Sequence, residues 1–194
     1  MTKALCVLHE MQIFHRDLKS ANVFLNRDGT SKLGDLNVSK VAKKGLLYTQ
    51  TGTPYYASPE VWKDQPYDSK SDIWSLGCVV YEMTCLKPPF RAQDMNGLYK
   101  KILKGQYTEI PKKYSKELSD VILRMLCVES KFRPTCAQIL EMPQVKKRMV
   151  RLFPSEYHQD SVNNLGSLAS IDEDYSSTQN NELLNTIRLP NNMA

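Results

Sequence analysis

The chain has 194 residues, 41% of them hydrophobic and 24% charged, with a formal net charge of +5, an ordinary composition for one soluble domain with a sizeable core. Residues 1–154 carry 25 Lys+Arg against 15 Asp+Glu and residues 155–194 carry 1 against 6, but no basic stripe interleaved with aromatics marks a nucleic-acid interface. The cysteines (Cys6, Cys78, Cys85, Cys127 and Cys136) are odd in number and none stands in C-x-x-C spacing, which argues against a disulfide framework or zinc site and for reduced, intracellular thiols.

The first residues, MTKALCVLHEMQIF, place Leu5, Leu8 and Met11 or Gln12 at helical spacing and predict an amphipathic helix over 2–13. It starts at once, without a visible cap, as though cut from something longer. No small-residue cleavage site follows it, so it does not read as a signal peptide, and no stretch reaches the roughly 18 apolar residues of a membrane helix. VFL at 23–25, NRDG and TSKLG predict two short strands about a tight turn, with Gly29 supplying the turn. Residues 35–60 show no periodicity and predict a long loop of the kind that is usually functional or disordered. SDIWSLGCVVYEMTCL, 71–86, is apolar nearly all round and predicts a buried helix, stopped by KPPF. An amphipathic helix follows over 94–105, between an Asp94 cap and a Gly105 stop, and another over 115–128. RPTCAQILEM predicts a last helix with Pro134 near its first turn. KKRMVR, 146–151, reads as the solvated face of a helix end. Beyond about residue 154 the chain is polar and acidic and is expected to be disordered, with ELLNTIRL at 182–189 a brief helix at most. The expected fold is mainly α with one short β-hairpin, a domain over 1–150 and a tail over 151–194.

The most informative stretch is FHRDLKSANVF, 14–24, which sets Arg16, Asp17, Lys19 and Asn22 between apolar flanks. Phosphoryl transfer is mostly positioning and charge stabilisation, and it needs a carboxylate to take a hydroxyl proton, a cation near the moving phosphate and oxygen ligands for magnesium. Asp17, Lys19 and Asn22 supply those types within six residues. Asp35, just past the second expected strand, would return beside Asn22 and complete the oxygen donors. Mg²⁺ is commonly held by one or two protein groups together with substrate phosphates.

HRDLKSAN followed by an Asp at the end of the second strand resembles the catalytic and metal loops of protein kinases. GTPYYASPE at 52–60 is similar to the end of their activation segment, SDIWSLGC to the central helix of their large lobe, and RPT to the Arg-bearing motif near the domain's end. LLYTQTGTPYYASPEVW and DMNGLYKKILKGQYTEIPKKYSKEL resemble the NIMA-related serine/threonine kinases more closely still. The resemblance covers residues 1 to about 143. It implies the large lobe of a kinase, ATP as co-substrate with Mg²⁺, and transfer to Ser or Thr of protein substrates. Asp17 would be the catalytic base, Lys19 would steady the γ-phosphate, and Asn22 and Asp35 would hold magnesium. Arg16 would face a phosphorylated activation segment, with Thr49 the first phosphosite candidate and Thr51 the second, modified by an upstream kinase or by the chain itself. Thr53 would line the pocket for the residue after the phosphoacceptor. Glu60 would pair with Arg133 and Asp72 would cap backbone amides of the catalytic loop, both structural roles. The resemblance further implies a cytoplasmic protein with cytoskeletal or ciliary business, and no nucleic-acid or membrane partner.

Two features depart from the family pattern. The usual Asp-Phe-Gly is Asp35-Leu36-Asn37 here. Leu keeps an apolar plug with less area, and Asn tolerates positive φ better than other non-glycine residues. The small lobe's G-x-G-x-x-G and strand Lys are also absent from the 194 residues; Gly29 and Gly34 have phosphate-loop spacing, but Asp35 stands where a Lys should follow. The expectation is a kinase lacking its small lobe in this sequence and inactive by itself. The alternatives are a non-catalytic binding or scaffold module, and a two-chain kinase whose small lobe comes separately.

Overall fold

In the computed structural model, residues 1–35 and 54–153 are described here. The chain divides into two compact units, Met1–Met149 and Val150–Ala194. The first is mostly helical. Its elements are α1 (Thr2–Glu10), β1 (Val23–Leu25), β2 (Ser31–Leu33), α2 (Pro59–Trp62), α3 (Ser69–Cys85), α4 (Met95–Lys104), α5 (Lys116–Met125) and α6 (Cys136–Glu141); α7 (Pro143–Leu152) begins in it. Among the described residues no helix is long and apolar enough to cross a membrane. The expected tail and the 182–189 segment lie outside the described residues.

The hairpin forms where the turn chemistry places it. Gly29 takes φ +82°, Gly29 N–H donates to Asn26 O (3.1 Å), and the Asp28 carboxylate accepts from Thr30 N (2.9 Å). β1 and β2 pair antiparallel, Val23 opposite Leu33 and Leu25 opposite Ser31.

Helix α3 is the axis of the unit. Eleven of its seventeen residues are buried, which explains why its sequence is apolar without a stripe. It packs on α5, and Gly77 is the reason they can approach: a Cβ there would meet Met125 Cβ at 2.8 Å. Trp74 stacks on Phe90 with ring centroids 5.2 Å apart, and Tyr107 closes edge-on against Phe90 and Tyr81. Leu5, Leu98, Ile102, Ile122 and Ile139 complete the core. Each such side chain, removed from water, stabilises the fold by about 1.5–3 kcal/mol.

Helix ends follow their caps and correct several expected boundaries. α3 begins at Ser69, two residues before the expected start, because the Asp68 carboxylate accepts from Lys70 N and Ser71 N and makes a capping box with Ser71. α5 ends at Met125, short of 128, because the carbonyls of Cys127 and Val128 turn out of the helix to accept from Arg133. α6 is capped by Thr135 with Gln138, so Pro134 precedes the cap and is not in the first turn. The 3.6-residue pattern of 143–152 forms a separate helix, α7, with Pro143 first, where only a helix end was read. Asp94 and Gly105 bound α4 as expected, Gly105 at φ +60°. All five cysteines are free thiols.

Candidate active site

The loop between α1 and β1 carries the cluster. Lys19 Nζ donates to Asp17 Oδ2 at 2.7 Å, and Asn22 Nδ2 donates to Asp17 O at 2.7 Å and to Asp17 Oδ2 at 3.1 Å. The Asp17 side chain is 22% exposed and that of Lys19 31%, so both can meet a solvent-borne substrate. Asn22 is buried in a 3₁₀ turn, Ser20–Asn22, and no described residue hydrogen-bonds its Oδ1. Gly34 N–H donates to Asn22 O (2.9 Å), extending the hairpin by one rung and bringing Asp35 next to that residue.

Two members of the set sit in left-handed backbone: Arg16 at φ +66° and Asp35 at φ +58°. Such a conformation is costly for a non-glycine residue and persists only where surroundings over-determine it. For Arg16 the surroundings are visible. Asp72, fully buried on α3, accepts from Arg16 N (3.0 Å) and His15 N (2.9 Å). The same carboxylate accepts from Tyr67 Oη (2.5 Å) and bonds His9 Nε2 (2.8 Å). Burial pushes the Asp72 carboxyl up, but those four partners together hold it below the usual carboxylate range. Tyr67 is pushed well up by burial and by the Asp72 charge, so its hydroxyl remains a donor. Its ring also lies under the Arg16 guanidinium, 5.8 Å from the centroid. Leu36 and Asn37 lie outside the described residues, so the positive φ expected at Asn37 is not described, while one is found two residues earlier.

Glu60 and Arg133 form a buried bidentate pair, Nη1–Oε1 2.6 Å and Nη2–Oε2 2.8 Å. Arg133 also donates to the carbonyls of Cys127, Lys70 and Val128, and its guanidinium lies 5.0 Å from the Trp74 ring centroid. Ser71 Oγ donates to Glu60 Oε1 (2.6 Å). Burial raises the Glu60 pKa, and Arg133 and Ser71 outweigh it, leaving the carboxyl below its ordinary value.

Thus hydrogen bonds join Asp17, Lys19 and Asn22 in one loop, the hairpin returns the chain to Asn22 at Gly34 next to Asp35, and Asp72 holds the backbone at His15 and Arg16, while Glu60 and Arg133 form a separate buried pair that Ser71 links to α3. Thr49, Thr51 and Thr53 lie outside the described residues. Sequence reasoning missed His9, Tyr67 and a chain in which Ser20 Oγ meets Tyr56 Oη (3.0 Å) and Tyr56 Oη donates to Glu82 Oε2 (2.6 Å). Burial and the Glu82 carboxylate push Tyr56 up to about 12. The His9–Asp72, Ser20–Tyr56 and Tyr56–Glu82 pairs span 26 to 63 residues, gaps across which periodicity carries no signal, and Tyr67, five residues before Asp72, lies in a polar stretch ahead of the α3 cap that shows no pattern.

The donor set suits magnesium and not zinc. Among the described residues no group of three His, Cys, Asp or Glu could enclose a metal, whereas one amide and one carboxylate oxygen match an ion that keeps phosphates and waters as its other ligands.

This fold and loop define the class. The sequence profile of the protein kinase domain matches residues 1–145, and the chain belongs to that family. Similarity narrows it to the NIMA-related branch. The chain is 43% identical over 164 residues to mouse serine/threonine-protein kinase Nek4, covering 84% of this chain and 21% of that protein. It is 44% identical over 169 residues to the probable serine/threonine-protein kinase nek3 of Dictyostelium discoideum (84% and 15%) and 44% over 135 residues to human Nek2 (69% and 30%). The chain therefore spans less than a third of the length of each of these relatives.

Proposed function

We propose that the chain carries the large-lobe catalytic machinery of a serine/threonine protein kinase, moving the γ-phosphate of ATP to Ser or Thr of a protein substrate. One observation carries the reading: Asp17 holds Lys19 and Asn22 on a partly exposed carboxylate while the hairpin returns the chain to Asn22 at Gly34, next to Asp35. Asp17 accepts the substrate hydroxyl proton. Lys19 sets its ammonium where charge develops on the transferred group. Asn22 and Asp35 would hold Mg²⁺, which supplies charge neutralisation on the phosphates. Asp72 fixes the backbone of His15 and Arg16, and the Arg16 guanidinium, packed on the Tyr67 ring, would meet an activation-segment phosphate, with Thr49 the first candidate acceptor and Thr51 the second. Thr53 would line the pocket for the residue after the phosphoacceptor. The proposed setting is cytoplasmic.

The test is transfer of labelled phosphate from Mg-ATP to a mixed Ser/Thr protein substrate. The 194-residue polypeptide by itself is expected to give no turnover, since it has no G-x-G-x-x-G and no strand Lys to close over ATP. Fused behind the small lobe of a NIMA-related kinase, it is expected to phosphorylate Ser and Thr, with Asp17→Asn lowering the rate at least ~100-fold. A folded fusion that stays inactive with Thr49 phosphorylated would favour the scaffold reading.

A further inference from the structure

One cavity at the protein surface shares no residue with the candidate active site. It is an open groove of about 840 Å³. Its walls are the segment after α3 (Lys87, Pro88, Pro89 and Arg91), the start of α4 and the irregular stretch Gln106–Thr108, with Tyr81 of α3 also lining it. A groove of that size accepts several residues of an extended peptide.

Its charge is one-sided. Lys87, Arg91 and Lys101 line it, all exposed, against a single carboxylate, Asp94. Asp94 is already engaged: its Oδ1 accepts from Gly97 N at 2.6 Å as the α4 cap. Neither Lys87 nor Arg91 pairs with a carboxylate among the described residues. Lys101 donates one proton to Arg91 O (2.7 Å), which stiffens the wall and leaves its other donors open. Glu109 lies close enough to act on Tyr107 but is not part of the lining. Tyr107 itself is raised to about 12, chiefly by burial, and its hydroxyl bonds to no described residue. The groove thus presents three cations, a phenolic O–H and the amides of Gln93 and Gln106 beside two prolines and edge-packed aromatics.

We propose that this groove docks an acidic peptide segment of a protein partner, with carboxylates meeting Lys87, Arg91 and Lys101 and apolar side chains on Pro88 and Tyr107. Proline-lined walls reduce the ordering cost of binding, and the one-sided charge selects against basic segments. The proposal is independent of the catalytic reading.

The test is fluorescence anisotropy of the purified full chain with a labelled decapeptide of alternating Glu and Leu at low salt. Saturable binding that weakens with salt is expected. Lys87→Glu with Arg91→Glu should weaken it at least tenfold, and Tyr107→Phe, a change that leaves the ring packing in place, should weaken it two- to fivefold. The control is Lys112→Glu with Lys113→Glu, an equal charge change outside the groove, which should leave the affinity within about twofold. Equal loss in the control would show a diffuse attraction to the basic body and overturn the proposal. So would equal binding of a second decapeptide in which Gln replaces every Glu, or an unchanged affinity in both groove variants.

Discussion

Two polar clusters in this molecule each pair a carboxylate with a cation and behave as opposites. Around Arg133, which is 1% exposed, the guanidinium has five described partners and an aromatic face, and Glu60 is matched oxygen for nitrogen. Around Asp17, the carboxylate is 22% exposed and holds only short local contacts to residues two and five positions away. The first cluster is saturated, dry and assembled from four separate stretches of chain. The second is under-satisfied, wet and written in one loop. A saturated network has nothing left to offer a substrate, and its loss leaves charges stranded. An under-satisfied one costs little to alter and keeps lone pairs for chemistry. Asp72 stands between them: it is buried like Glu60, yet two of its four bonds set the backbone of His15 and Arg16, just before Asp17.

The comparison breaks first if Arg133 proves dispensable. Arg133→Ala would leave Glu60 buried without its cation and the Cys127 and Val128 carbonyls without the guanidinium donor. The expected loss is about 3–5 kcal/mol of unfolding free energy, read from urea denaturation. A loss under ~1 kcal/mol would mean water replaces the guanidinium and the cluster is not dry. Gly77→Ala comes next. Alanine is the better helix former, but its Cβ would press on Met125 Cβ, so a net loss of about 1–3 kcal/mol is expected and a gain would show that α5 yields. Asp72→Asn retains the shape but removes the charge that four donors share, and should cost about 2 kcal/mol.

Acid sharpens the same contrast. Glu60 and Asp72 both have depressed folded-state pKa values, so each adds stability above its unfolded carboxylate pKa of about 4 that is lost as pH falls through the folded value. Thermal midpoints should be flat from neutral pH to about 5 and drop below about 4. In Glu60→Gln the drop should be shallower. An identical slope would place the acid sensitivity elsewhere.

How much of this was readable in the sequence follows from the same division. The Asp17 loop was legible because its partners lie within five residues, and turn and cap chemistry at Gly29, Asp94 and Gly105 was legible for the same reason. The partners of Arg133 and Asp72 were named through resemblance, since 73 and 56 residues separate the bonded groups and no local pattern encodes that pairing. His9 and Tyr67 went unnoticed: one sits on an amphipathic helix and the other before a cap, where each reads as ordinary. The start of α3 was misplaced because the apolar run masked Asp68, whose capping box lies in a polar stretch before it.

The smallest effect on stability is the most telling for function. Asp17→Asn keeps the side chain's shape and can still accept from Lys19 and Asn22 through its remaining oxygen. Asp17 and Lys19 are both partly exposed, and exposed ion pairs contribute only about 0–1 kcal/mol. The urea midpoint should therefore move by less than the equivalent of ~0.5 kcal/mol, against several for Arg133→Ala, while phosphoryl transfer by the fused kinase falls at least ~100-fold. If Asp17→Asn instead destabilised the fold as much as Asp72→Asn, the loop would be part of the structural network, and its partly exposed carboxylate would have to be explained by packing. If stability held and transfer were lost, the carboxylate would be retained for its chemistry alone.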